Sequence, residues 1–390
     1  MTKPILLLLS GPKGDPRSIG RAIVTSTVLC LCLLFAMGTP AQQETAGSAH
    51  SSKPTFTTFE APGAGKGMRQ GTVPVSINTG GAIAGFDLDA TNVSHGFVRT
   101  NDKITTFEAR GAGNGTHQGT FPFSINDAGT IAGYYIDANS ARHGFVRAAT
   151  GTITTFNVRG AGTGVKQGTF PISINTAGTI AGYYVDATNV YHGFERVATG
   201  KVTTFNVSGA GTGAGQGTGG LSINAGGDIA GTYIDASSVY QGFVRDAKGK
   251  VRTFKAPGAG TQGHQGTVPI SINAAGAIAG TSIATGFVLH GFVRAVDGKI
   301  TTFEAHSQAQ VTAAVSINAA GDITGTYSEP SGVFLGFARA PDGTLTAFKA
   351  PGAGTGQLQG TAGLGINAAG AITGTYLDAN SAFHGFVRTP

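Results

Sequence analysis

An aspartate and a histidine stand six residues apart at Asp89 and His95. The same spacing returns at Asp137 and His143, at Asp186 and His192, and at Asp378 and His384. A carboxylate beside an imidazole is the raw material of acid–base catalysis and of metal binding. Partial versions also occur: Asp235 with Gln241, Ala284 with His290, and Glu329 with Leu335. A catalytic centre needs one preorganised constellation, whereas this pair is spread over several copies of one pattern. The pairs are therefore read as structural, each aspartate accepting backbone N–H groups and fixing the link after it. No catalytic residue, metal site or cofactor is assigned.

A second set is Gln70, Gln118, Gln167, Gln216, Gln265 and Gln359, each in "QGT". An amide side chain offers both a donor and an acceptor, so a ring of them suits a hydroxyl-rich ligand. The competing reading is that each glutamine caps its own link. The residue just before it changes from copy to copy: Arg69, His117, Lys166, Gly215, His264 and Leu358. Variation on a constant frame is where specificity is expected. The six glutamines with Arg69, His117, Lys166 and His264 are thus the candidate ligand-binding residues. The adjoining "GAGTGVKQG" lacks the Gly-Lys-Ser/Thr ending and the following helix of a phosphate loop.

These residues belong to a repeat. "SIN" begins at Ser76, Ser124, Ser173, Ser222, Ser271 and Ser316, and "GIN" begins at Gly365, making seven copies at spacings of 48, 49, 49, 49, 45 and 49 residues. Each copy holds four short strand-like phrases; in copy two they are "GTFPFSIN", "IAGYYID", "HGFVRA" and "ITTFNV", separated by Gly-bearing turns and links. No helical periodicity appears after residue 54. From the first residue of SIN or GIN to the residue before GF the interval is always 19 residues. From the fourth-phrase Phe to the next such position it is 17, except for 13 between Phe303 and Ser316. The links that vary are expected on a surface.

Seven copies of four strands predict an all-β, seven-bladed β-propeller. The chain opens with a fourth-strand phrase, Thr55 to Phe59, and ends without one after His384-Gly385-Phe386-Val387-Arg388. The first strand is expected to pair with 384–388 and close the ring. Links after the second and fourth strands share one face, the top, which carries the Asp/His pairs and the glutamines. Arg99, Arg147, Arg196, Arg245, Arg294, Arg339 and Arg388 end the third strands towards the bottom. They read either as packed stems with solvated heads or as a basic face for anionic polymers.

The 390 residues include 64 glycines without a collagen period, and only 12% are charged. Arg17 and Arg21 precede an apolar run from Ala22 to Gly38, and Thr39-Pro40-Ala41 supplies small residues before Gln42. This reads as an export signal over 1–41, followed by a linker over 42–53 and the propeller over 54–390. A retained anchor is the alternative. Both cysteines, Cys30 and Cys32, lie in the run, so a cleaved chain has no disulfide and no thiolate site. Cleavage removes four of 26 basic and one of 20 acidic residues, leaving 22 and 19, a net of +3. No basic cluster points to nucleic acid. A monomer, secreted or periplasmic and without a membrane span after cleavage, is expected.

The pattern "SIN..G.IAG.Y.D.....HGFVR...G..TTF" resembles the HAF-type extracellular repeat of bacterial proteins, over about 54–390. The resemblance implies secretion and a propeller-like fold, and no established activity. Here Gly stands between His and Phe, and Val-Arg follows where Leu-Trp is frequent in that family. The functional expectation is a binding or scaffold module for a glycan or other extracellular polymer, acting through the top face. The alternatives are a polysaccharide lyase or hydrolase with its site at the channel mouth, and a structural ring for protein interactions.

Overall fold

The computed structural model describes residues 54–390; the proposed leader over 1–41 and the linker over 42–53 lie outside the described residues. The described chain forms 28 strands joined in a single sheet system, with one three-residue 3-10 turn at Thr285–Phe287. Each of the first six copies supplies an antiparallel set of four, and the seventh supplies three. In copy two the four are Gly119–Ile125, Ile131–Ile136, Arg142–Arg147 and Ile153–Phe156. The first two strands are almost wholly buried and the third half so, while the fourth has half-buried ends, Ile153 and Phe156, and an exposed middle.

Successive sets lean on one another through the start of each first strand. Gly119 bridges in parallel to Ser94 of the preceding copy, and Gly168, Gly217, Gly266 and Gly360 repeat the contact. The glycine of "QGT" is required there: its φ is +112°, and a Cβ would lie 2.0 Å from the Ser94 carbonyl oxygen. The chain ends meet in the same way. Gly71 bridges to Phe383, and strand Thr55–Phe59 pairs with Phe383–Thr389 from Thr55↔Thr389 to Phe59↔Gly385.

Every first strand carries a β-bulge at one position, between Pro122 and Ser124 in copy two. A bulge re-aims the extra side chain. That extra residue is always apolar: Val75, Phe123, Ile172, Leu221, Ile270, Val315 or Leu364. All seven line one axial cavity of about 120 Å³, together with the serines of "SIN". The apolar cluster of Val73, Phe121, Phe170, Val268 and their neighbours fills the axis beside it. Burial of such side chains is worth about 1.5–3 kcal/mol each.

The arginine row packs against a neighbouring copy. Arg147 lies 4.8 Å from the ring centroid of Phe107, and Arg196 lies 4.7 Å from that of Phe156. All seven arginines stack in this way on the fourth-strand Phe of the preceding copy. Arg99, Arg147 and Arg388 are each only 8% exposed. These guanidinium groups act as clasps between copies rather than as a solvated basic face.

Candidate functional site

The Asp/His pairs sit where the second strand ends and the third begins. Asp137 Oδ1 accepts the amides of Asn139 and Ala141, both at 2.9 Å, which fixes the link. Its Oδ2 lies 3.1 Å from His143 Nε2, while His143 Nδ1 lies 3.0 Å from Asn157 Oδ1. The imidazole also stacks on Tyr135 with centroids 4.8 Å apart. Burial alone would raise the Asp137 carboxyl, but the Ala141 amide, the His143 ring and the Asn139 amide hold it below the usual range. Asp186 and His192 repeat this geometry at 3.1 Å, and Asp89–His95 and Asp378–His384 do so at 3.4 Å. In copy four Gln241 Nε2 donates to Asp235 Oδ2 at 3.1 Å in place of the imidazole. Among the described residues, no group of three His, Cys, Asp or Glu side chains is placed to hold a metal ion.

Five of the six glutamines are tied down at both ends of the side-chain amide. Gln118 Oε1 accepts the Gly115 amide at 2.8 Å, and its Nε2 donates to the Ala138 carbonyl at 3.2 Å. Gln70, Gln167, Gln216 and Gln359 do the same, and Gln265 Oε1 accepts from the Gln262 amide. Each such glutamine pins its own link to the second-to-third-strand link of the same copy. The axial cavity lies instead at the "SIN" ends of the first strands.

The residue before each glutamine has a left-handed backbone. Arg69, His117, Lys166, His264 and Leu358 have φ between +61° and +67°, and Gly215 has +79°. Their amides donate across the junction to the preceding copy, as His117 does to Asn92 at 2.7 Å and Arg69 to Ser381 at 2.7 Å. His117 and Lys166 are exposed, and Arg69 and His264 are half-buried. The junctions thus present different side chains from one constant backbone.

Sequence reasoning missed three features. The asparagine of every "SIN" or "GIN" donates Nδ2 to the carbonyl of the same asparagine in the next copy, at 3.0–3.3 Å. Its Oδ1 accepts the amide four residues on. Its presence in all seven copies was the visible signal. The second feature is Asp87, which stands where copies two, three, four, six and seven have tyrosine. It is fully buried opposite His95, and neither of its oxygens has a hydrogen-bond partner among the described residues. Burial pushes its carboxyl up to about 7. Glu108 and Asp89 hold the two nitrogens of His95; burial alone would lower the imidazole, yet the Glu108 contact raises it. The third feature lies in copy five, where Ser282 stands in place of the tyrosine, two residues before the Ala284 that the sequence already showed in place of the aspartate.

No protein-family model matches the sequence, and no curated protein matches it. Solved structures match the shape. A streptogramin B lyase aligns with TM-score 0.55 and 12% identity, covering 86% of this chain and 98% of that one. The BP39L lectin of Burkholderia pseudomallei aligns with TM-score 0.53 and 7% identity, covering 83% and 99%. A prolyl endopeptidase aligns with TM-score 0.51 and 9% identity, covering 82% of this chain and 50% of the other. The described residues form an all-β, propeller-like repeat fold. Among them, no helix is long and apolar enough to cross a membrane.

Proposed function

We propose that the chain is an exported, seven-bladed β-propeller of the HAF-type repeat class. It acts as a non-enzymatic binding module for a glycan or other extracellular polymer. The observation that carries this reading is the row of left-handed positions at Arg69, His117, Lys166, Gly215, His264 and Leu358. A non-glycine residue held in that conformation costs stability, so a row of them on one frame favours a use for the side chains. Cationic and imidazole groups at neighbouring junctions hydrogen-bond to hydroxyls and carboxylates of an extended polymer. The glutamines stiffen the frame from which those groups project. The 28 strands in sets of four, with the first strand paired to the last, support the seven-blade count. The leader over 1–41 and the repeat pattern support export. BP39L is itself a lectin, but the likeness to it is one of fold, and the glycan reading rests on the left-handed junction residues.

The test is a glycan array probed with the purified protein, followed by a turnover assay on each hit. Binding without product release is expected. Product release would favour a lyase or hydrolase, and silence in both assays would favour a structural ring.

A further inference from the structure

We propose that the axial cavity is a binding site for a short-chain aliphatic carboxylate, with its tail among the bulge side chains and its carboxylate among the "SIN" hydroxyls. The cavity lies at the far end of the first strands from the left-handed junction residues. The proposal is independent of the glycan reading.

The cavity has two layers, set by adjacent residues of each first strand. The bulge residue supplies an apolar side chain, and the next residue supplies a hydroxyl in six copies. Neighbouring side chains of a regular strand face opposite ways; the bulge turns both towards the axis. Five of the seven apolar residues are buried, whereas five of the six serines are half-buried. The serines therefore form the layer nearer the solvent.

The hydroxyls have a defined offer. Each serine Oγ accepts the isoleucine amide of the next copy at 3.2–3.3 Å. That contact holds the oxygen and leaves the proton, for which no acceptor stands within hydrogen-bonding distance among the described residues. Copy seven breaks the ring in the same sense. Gly365 has no hydroxyl, and Ile77 lines the cavity beside it. Unlike the six equivalent amides, that of Ile77 has no side-chain acceptor among the described residues. The lining is thus rich in donors, and it includes no charged side chain.

Such a set selects an acceptor that brings no donor of its own. A carboxylate accepts through both oxygens, and its bonds from hydroxyls are charge-assisted. A phosphate or sulfate carries more charge and would need a cation, which the lining does not supply. A monocarboxylate held at the serine layer stays close to solvent, which limits the cost of burying its charge. Water would meet hydroxyls on one side and Val75, Phe123 or Leu221 on the other, where it finds no partner. An apolar cavity of about 150 Å³ takes benzene. The 120 Å³ here suits an acid of about three to five carbons.

The experiment is saturation-transfer NMR on the full chain with sodium butyrate, and with butyramide as the neutral comparator. Transfer to the methyl and methylene protons of butyrate is expected, with affinity at least fivefold above that of butyramide. Val75→Phe with Val315→Phe fills the apolar layer, at a position where Phe123 shows that the frame accepts this ring, and is expected to abolish the signal. Ser222→Ala with Ser271→Ala removes two donors and is expected to weaken butyrate at least fivefold, with folding checked by circular dichroism. Should the serine variant not fold, the filled variant and the butyramide comparison still decide. No butyrate transfer in wild type, or unchanged binding in the filled variant, overturns the site. Equal affinity for butyramide, or unchanged binding in a folded serine variant, overturns the carboxylate assignment. Silence on a glycan array would leave this site standing, and failure here would leave the glycan reading standing.

Discussion

Asn367 Nδ2 donates to the carbonyl oxygen of Asn78 at 3.1 Å, although 289 residues separate them. It is the link that turns six identical contacts between neighbouring copies into a closed circle of seven. Removing one asparagine leaves one buried carbonyl and one turn amide without partners, each costing about 1–3 kcal/mol. Asn126→Ala should therefore lose about 3 kcal/mol in urea unfolding, and Asn367→Ala about the same. A loss below 1 kcal/mol in both would mean the circle is incidental.

The strand Thr55–Phe59 closes the same circle by another route. Phe56 packs at 6.1 and 5.9 Å from the rings of Phe348 and Phe386, and Glu60 contacts His384. Deleting 54–60 exposes the edge of the last strand. A melting temperature several degrees lower is expected by calorimetry, and an unchanged one would contradict closure by this strand.

One copy lacks a contact that the others have. The serine Oγ of "SIN" accepts the isoleucine amide of the next copy, as Ser124 does from Ile174 at 3.2 Å, and this recurs six times. Gly365 has no hydroxyl, and a Cβ there would stand 3.4 Å from the Ile77 amide nitrogen. Gly365→Ser should stabilise by about 1 kcal/mol, from the added hydrogen bond and a less flexible unfolded chain. Destabilisation would mean that the axial cavity does not admit the seventh serine.

Asp87 gives a pH dependence. Burial holds its carboxyl protonated in the folded chain up to about 7, against 3.8 for the free side chain. Between those values the folded state keeps a proton that the unfolded chain releases, so stability falls as pH rises. The full penalty above pH 7 is on the order of 4 kcal/mol. His95 acts in the same direction: its raised value contributes stability below about 6.5 that is lost at higher pH. Asp87→Asn should stabilise by about 2–4 kcal/mol at pH 8 and by little at pH 4. Equal slopes of stability against pH from 4 to 7 in variant and wild type would refute this.

Much of the fold was legible because its signals are local. The strand phrases alternate, the turns carry glycine, and the lone "TFTTF" at the start matches the phrase missing at the end. What was not legible depends on contacts between copies. Asn126 meets Asn175 only across a junction, and identical letters 49 residues apart conceal that they touch. The bulge hides because Phe123 is as apolar as Phe121. Asp87 hides because it stands two residues before Asp89 and looks like part of the same acidic strand end, yet only the buried face of the strand makes it unusual.

The central claim is that the varied left-handed residues bind while the glutamines only hold the frame. The direct test is the affinity of an array-positive glycan for wild type and for the triple variant Arg69→Gly, Lys166→Gly and His264→Gly. Glycine already occupies this position in copy four as Gly215, and it suits the backbone, so the fold should be kept or stabilised. Isothermal titration should give affinity at least tenfold weaker, with the melting temperature unchanged or higher. Wild-type affinity in the triple variant would contradict the account.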